Sequence, residues 1–132
     1  MATEQSRFPE RVTSGLPGLD AVLHGGFLKA GIFIIQGSPG AGKTILANQI
    51  CFHHAAHGER VLYVTLLAES HSRMLLHIGQ LGFFDATLIP SRIYFVSAFQ
   101  VLEEAGIRGL LDLLRREIES YKASILIIDG LV

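Results

Sequence analysis

This 132-residue chain has a single cysteine, only short apolar runs and nearly equal numbers of positive and negative residues. Its single cysteine, Cys51, cannot form an internal disulfide, which favours a reducing compartment. The apolar runs of about six residues fall far short of the roughly 20 that cross a bilayer, and the N-terminus lacks the apolar stretch of a signal peptide. A net charge of -1 does not favour a strongly basic nucleic-acid surface. We therefore expect a cytoplasmic protein without a membrane segment, and no nucleic-acid partner is indicated.

Apolar runs alternate with helical patterns along the chain. The apolar runs predict strands buried on both faces at residues 32–35, 61–66, 93–96 and 125–128. Helical spacing and turn signals predict helices at residues 19–23, 45–57, 72–81 and 103–121. The last of these carries an apolar stripe made of Leu110, Leu111, Leu114 and Ile118. Strands that alternate with helices predict an α/β fold, with a mainly parallel sheet and flanking helices.

A glycine-rich segment at residues 37–44 matches the pattern G-x-x-x-x-G-K-[ST], between a predicted strand and a predicted helix. Glycines let the backbone turn with its N–H groups inward, and the start of the helix adds free N–H groups and a positive dipole end. Lys43 is expected to reach the β- and γ-phosphates of a nucleotide, and the Thr44 hydroxyl to ligate Mg²⁺. The predicted ATP-binding residues are Gly37, Ser38, Pro39, Gly40, Ala41, Gly42, Lys43, Thr44 and Ile45.

Two acidic residues follow predicted strands, where ligands bind in parallel α/β sheets. Asp129 comes directly after four apolar residues and is a candidate Mg²⁺ ligand, directly or through water. Its alternative is an ordinary aspartate in a turn with Gly130. Glu69 follows the second strand and could orient the water that attacks the γ-phosphate. Its alternative is an exposed residue at the start of the next helix.

Taken together, these segments resemble the RecA-like ATPases, and within them the KaiC and RadA group. The resemblance is carried by residues 13–20 (TSGLPGLD), Gly25-Gly26, the loop at 37–44, Tyr63-Val64-Thr65 leading to Glu69-Ser70, and Leu126-Ile127-Ile128-Asp129. It divides the chain into a leader at residues 1–12 and a partial ATPase domain at residues 13–132. The family has a pair of acids after the second strand. Here Glu69 matches the second acid, and Ala68 stands where the first would be.

The resemblance also implies a strand that this chain does not contain. In RecA-like domains the strand after the one ending at Asp129 lies between that strand and the strand before the phosphate loop. The chain stops at Val132, so we expect an incomplete P-loop NTPase fold from the N-terminal part of a longer ATPase domain. Either strand 125–128 pairs directly with strand 32–35, or a gap leaves unpaired backbone groups, which cost about 1–3 kcal/mol each when buried.

Three functions follow from these features. The first is ATP hydrolysis with Mg²⁺ by the intact parent protein, with Lys43 and Glu69 as catalytic residues and a homo-oligomeric ring as the implied assembly. The second is a nucleotide switch that does not hydrolyse ATP, in which ATP and ADP control assembly. The third is a DNA-dependent recombinase-type ATPase, which the near-neutral charge does not favour.

Overall fold

The computed structural model describes residues 10–68 and 71–130. The chain divides into two compact units, the first ending at Lys43 and the second beginning at Thr44. The first unit contains β1 (Arg11–Val12), α1 (Pro17–Val22) and β2 (Phe27–Leu28), so residues 11–12 of the predicted leader form a strand. Helix α2 (Lys43–Ala56) begins at the boundary. The second unit continues with β3 (Val61–Thr65), α3 (His71–Ile78), a short 3-10 helix (Ala86–Leu88), β4 (Ile93–Ser97), α4 (Phe99–Tyr121) and β5 (Ile125–Asp129).

In the first unit, the Asp20 carboxylate holds the turn that leads into α1. It accepts hydrogen bonds from the Thr13 hydroxyl, from the Ser14 backbone N–H at 2.8 Å and from the Ser14 hydroxyl at 2.7 Å. Strands β1 and β2 pair antiparallel. A Cβ added to Gly26 would lie 2.3 Å from the carbonyl oxygen of Val12, so only glycine fits beside β1. Several residues that carry the family resemblance therefore have local structural roles.

The second unit is built on a parallel sheet with the strand order β4-β3-β5. Thr65 at the end of β3 lies beside Ser97 of β4 and Asp129 of β5, so the carboxyl ends of the three strands are level. Every residue of β3 is buried. This arrangement confirms the predicted α/β fold with a parallel sheet and flanking helices.

Alternate residues of β3 belong to two separate hydrophobic clusters, because successive side chains of a strand point to opposite faces. Val61 and Tyr63 pack with residues of α2 and α3 on one face. Leu62 and Val64 pack on the other face with three leucines of α4, which are Leu110, Leu113 and Leu114. Helices thus cover both faces of the sheet, which explains why β3 is apolar at nearly every position.

The strand predicted at residues 32–35 is wrong. The side chains of Ile32, Phe33, Ile34 and Ile35 are between 42% and 94% exposed. Among the described residues this segment forms no strand and pairs with none. An extended apolar run becomes a strand only where a neighbouring strand bonds its N–H and C=O groups. Among the described residues β3 is the one strand paired with β5, so the direct pairing considered between residues 125–128 and 32–35 is also wrong.

Strand β5 and helix α4 differ from their predictions in detail. β5 is an edge strand of this sheet, so it is half-buried rather than fully buried. Helix α4 begins earlier than predicted, at Phe99, and Gly106 interrupts its helical geometry with φ 64° and ψ -160°. Leu111, predicted on the apolar stripe, is 52% exposed, because it lies about 100° around the helix from Leu110. Leu113 takes its place in the core.

The packing of α4 predicts a difference between two of its leucines. Leu113→Ala removes a buried side chain and should lower the free energy of unfolding by about 2–5 kcal/mol, through lost burial and the cavity left behind. Leu111→Ala is the matched control on the same helix and should cost about 1 kcal/mol or less, since half of its side chain already meets water. Urea unfolding followed by circular dichroism measures both. Equal losses for the two variants would contradict the assigned face of α4.

Candidate functional site

The glycine-rich loop runs directly into α2. Gly40 and Gly42 have φ angles of 80° and 97°, in the left-handed region that glycine adopts without a steric penalty. The N–H of Ala41 donates to the carbonyl oxygen of Ser38 at 3.0 Å and closes the turn. A Cβ added to Gly37 would meet no protein atom closer than 3.4 Å. Backbone conformation therefore requires glycine at positions 40 and 42, and no protein contact requires it at 37.

Lys43 lies against the backbone of the same loop. Its ammonium group donates to the carbonyl oxygens of Gly37 at 2.5 Å and Ser38 at 3.1 Å. These contacts hold the ammonium group at the loop. Charged phosphate oxygens form stronger hydrogen bonds with an ammonium group than neutral carbonyls do. The two carbonyl contacts are thus of a kind that an anionic ligand can displace.

The second unit brings Thr44 and Asp129 together, although they are 85 positions apart in the chain. The Thr44 hydroxyl, in the first turn of α2, donates to Oδ2 of Asp129 at 3.0 Å. A hydroxyl and a carboxylate are hard oxygen ligands, and Mg²⁺ is commonly held by one or two carboxylates together with substrate phosphates. Across residues 10–68 and 71–130, no group of three or more His, Cys, Asp or Glu side chains is arranged to hold a metal ion. The hydroxyl–carboxylate pair fits Mg²⁺ that takes its remaining ligands from water and phosphate.

Glu69, the predicted water-activating residue, lies outside the described residues. Ala68, which precedes it, is exposed. His71 begins α3, and its Nε2 lies 2.7 Å from the hydroxyl oxygen of Thr65 at the end of β3. Burial lowers the pKa of His71 below its usual value. The chain that follows Glu69 is therefore anchored to the carboxyl end of β3.

Two buried residues contact this site although the sequence assigned them no role in it: Asn48, and Tyr63, which was named only as part of the family resemblance. The Tyr63 hydroxyl donates to Oδ2 of Asp129 at 2.8 Å. The Asn48 amide donates to the Tyr63 oxygen at 3.2 Å and to the Thr44 carbonyl oxygen at 2.9 Å. Burial, followed by the negative charge of Asp129, raises the pKa of Tyr63 far above its usual value, so the phenol keeps its proton.

The sequence carried a partial signal for both residues. Asn48 lies one helical turn after Thr44, and Tyr63 lies two positions before Thr65 on the same face of its strand. Those spacings place each side chain near the predicted site only if one knows which face of the helix and which face of the strand point toward the core. Local periodicity in a helix of mixed character, or in a wholly apolar strand, does not identify that face.

A family model matches most of the chain. The family model described as "ATPase: KaiC" matches residues 12–132. The DNA repair protein RadA of Aquifex aeolicus is 33% identical over 121 residues, which cover 92% of this chain and 23% of that protein. The circadian clock oscillator protein KaiC of Synechococcus elongatus is 30% identical over 122 residues, which cover 92% of this chain and 23% of that protein.

A UPF0273 protein of Pyrococcus horikoshii is 28% identical over 137 residues, which cover 91% of this chain and 54% of that protein. This chain therefore spans between 23% and 54% of the length of these three relatives. The matched regions include the glycine-rich loop and the segment that ends at Asp129, since the family model runs through both.

The half-buried position of His71 predicts a pH dependence of stability. Its pKa is lowered in the folded chain from 6.5, so the unfolded chain binds a proton first as the pH falls. The free energy of unfolding should therefore decrease as the pH drops from about 7 through 6.5 and below, and His71→Gln should reduce this decrease. Urea unfolding at a series of pH values measures it. His77→Gln, at an exposed histidine of the same helix, is the control, and an identical pH profile for His71→Gln and wild type would contradict the prediction.

Proposed function

This chain belongs to the KaiC family of ATPases, which are RecA-like P-loop proteins, and from that premise we propose that it binds Mg²⁺-ATP through residues 37–45 and Asp129. We further propose that the intact protein hydrolyses the bound ATP. The observation that carries the proposal is the hydrogen bond from Thr44 to Asp129 at 3.0 Å. It joins the hydroxyl that follows the loop lysine to the carboxylate that ends β5, which is the oxygen pair expected to hold Mg²⁺.

Each group at the site has a distinct task in binding. N–H groups of the loop and of the first turn of α2 donate to phosphate oxygens, and the positive end of the helix dipole favours their negative charge. Lys43 exchanges its contacts with the Gly37 and Ser38 carbonyls for the β- and γ-phosphates. Thr44 and Asp129 hold the metal. Bound Mg²⁺ supplies charge neutralisation at the phosphate oxygens.

Hydrolysis requires a group that orients water toward the γ-phosphate, and we assign this task to Glu69. The resemblance to the family supports the assignment, because Glu69 matches the second acid of the family's pair. The anchoring of His71 to Thr65 at 2.7 Å also supports it, since it ties the following helix to the carboxyl end of β3. Catalysis would then consist of positioning and charge stabilisation rather than covalent chemistry.

A nucleotide switch that hydrolyses ATP slowly or not at all is the second candidate. The observation that favours it is at position 68, where the family resemblance places the first of the two acids. This chain has Ala68 there, an exposed residue that carries no carboxylate. In that case binding, rather than turnover, would control assembly of a homo-oligomeric ring. The third candidate is the DNA-dependent recombinase-type ATPase. Single-stranded DNA is the ligand that tests it, since one relative is named as a DNA repair protein.

The cellular location of the protein belongs to the same proposal. We infer a cytoplasmic protein from the single cysteine, and burial raises the pKa of Cys51 to about 12, which leaves its thiol unreactive. Within the described part of the chain, no helix has the length and apolar character needed to cross a membrane.

ATP binding is tested with a lysine pair. Lys43→Ala removes the ammonium group at the loop and should weaken binding of ATP by about 10-fold or more, as expected for a lost charge-assisted hydrogen bond. Lys29→Ala is the control, because Lys29 is an exposed lysine whose ion pair is with Glu10. Isothermal titration calorimetry in Mg²⁺ buffer measures both affinities. Retained ATP affinity in Lys43→Ala would overturn the assignment of the phosphate loop.

Hydrolysis is tested by phosphate release from the full-length parent protein, with and without single-stranded DNA. Glu69→Gln keeps the size of the side chain while removing its charge, so it should reduce release about 100-fold or more while leaving ATP affinity within a few-fold of wild type. No release from the wild-type protein would favour the nucleotide switch. Release that rises with DNA would favour the recombinase-type function.

A further inference from the structure

We propose that Tyr63 and Asn48 are positioning residues that hold the Asp129 carboxylate in the orientation that binds Mg²⁺. This inference rests on the proposed function, because it concerns the same metal site. Neither residue follows from the phosphate-loop pattern, and neither is expected to touch nucleotide or metal. Their task is to hold the Asp129 carboxylate, the proposed metal ligand, in place through hydrogen bonds.

The four residues form a closed ring of hydrogen bonds. Thr44 and Tyr63 both donate their hydroxyl groups to Oδ2 of Asp129, at 3.0 Å and 2.8 Å. Asn48 closes the ring by donating to the Tyr63 oxygen at 3.2 Å and to the Thr44 carbonyl oxygen at 2.9 Å. The side chain of Thr44 and its backbone are therefore both held by the same ring.

The donor and acceptor chemistry of the groups fixes the direction in which each hydrogen bond of this ring is donated. A carbonyl oxygen only accepts, so the group of Asn48 that faces Thr44 must be the NH₂ group. Its other proton faces the Tyr63 oxygen at 3.2 Å, with the Met74 sulfur, a weak acceptor, at 3.8 Å. A carboxylate also only accepts, so the Tyr63 proton must be directed to Asp129. Asn48 thus fixes the phenol as an acceptor on one side and a donor on the other.

Stability alone does not account for this arrangement. Asn48 and Tyr63 are both 0% exposed. The Oδ1 atom of Asn48 is buried and has no hydrogen-bond partner among the described residues. A buried acceptor without a partner destabilises a fold, whereas an apolar side chain of similar size would avoid that cost. The donor side of Asn48 is therefore what the position requires.

The ring leaves the Asp129 carboxylate with unequal oxygens. Both of its side-chain hydrogen bonds in the described residues reach Oδ2, and neither reaches Oδ1. The phenol cannot easily turn away, because the Tyr63 ring is buried and packs 5.1 Å from the ring of Phe95. Carboxylates that ligate metals are commonly oriented by such hydrogen bonds, and loss of the orienting partner weakens metal affinity.

Tyr63→Phe tests the inference with the smallest change, because it removes the hydroxyl and keeps the ring. The Mg²⁺ concentration needed for half-maximal binding of a fluorescent ATP analogue should rise about 10-fold or more. Binding of the same analogue in excess EDTA should stay as in the wild type. A merely structural residue would lower the melting temperature without separating these two measurements.

Two further variants and one control complete the experiment. Asn48→Leu should shift the Mg²⁺ titration in the same direction, since the phenol loses the group that orients it. Adding Tyr63→Phe to Asp129→Ala should cause no further shift, because the carboxylate it orients is already gone. Tyr121→Phe is the matched control: it removes a hydroxyl that donates to the Pro90 carbonyl oxygen at 2.6 Å and should leave the titration unchanged.

The outcomes distinguish a failure of the positioning role from a failure of the proposed function. If wild type shows a Mg²⁺-dependent titration that neither Tyr63→Phe nor Asn48→Leu shifts, the positioning role is wrong and the proposed function stands. If the wild-type chain binds no analogue, or binds it equally well without Mg²⁺, the proposed function is overturned and this inference with it.

Discussion

Strand β3 is buried on both faces and hydrogen-bonded along both edges, and the arrangement of the second unit depends on that burial. Its alternate side chains enter two hydrophobic clusters, one with α2 and α3 and the other with α4. Burial of apolar area is the main favourable term in folding, so the helices are held to the sheet chiefly by these contacts. Because β3 is central, the side chains at its carboxyl end have fixed neighbours on both β4 and β5.

The polar residues of the site lie where this apolar core ends. Tyr63 belongs to the core by its ring and to the site by its hydroxyl, which reaches Asp129. Asn48 is likewise fully buried, between the hydroxyl of Tyr63 and the backbone of α2. Hydrogen bonds in a buried polar network are stronger than in water and hold its side chains in fixed orientations. The same packing that stabilises the sheet therefore limits the orientations open to Asp129, and so to the metal ligand that we assign.

Most of the second unit could be predicted from local pattern, and the first unit less so. The segments around β3, β4 and α2 combine strong periodicity with clear stop signals such as Gly58, and their predicted bounds differ little from those observed. Residues 32–35 had an equally strong apolar pattern but are exposed. Apolar character predicts that a segment favours burial; it does not supply the neighbouring strand that the backbone needs. Leu111 shows the same limit of apolar patterns. The sequence does not distinguish an apolar residue beside the buried stripe of a helix from one within it, and Leu111 is exposed.

The glycine-rich loop could be predicted from the sequence alone as a candidate phosphate site, since its pattern and its place before a helix are local features, and Gly40 and Gly42 adopt the backbone conformation that favours glycine. Asp129 could be predicted as a candidate because parallel strands end at a common edge. Only the tertiary structure decided which side chains form the hydrogen-bond ring around it. Tyr63 is 66 positions from Asp129 and 15 from Asn48, and no local periodicity connects them. Their hydrogen bonds exist because α2 packs against β3 and β5 pairs with β3, which brings three separate segments within bonding distance.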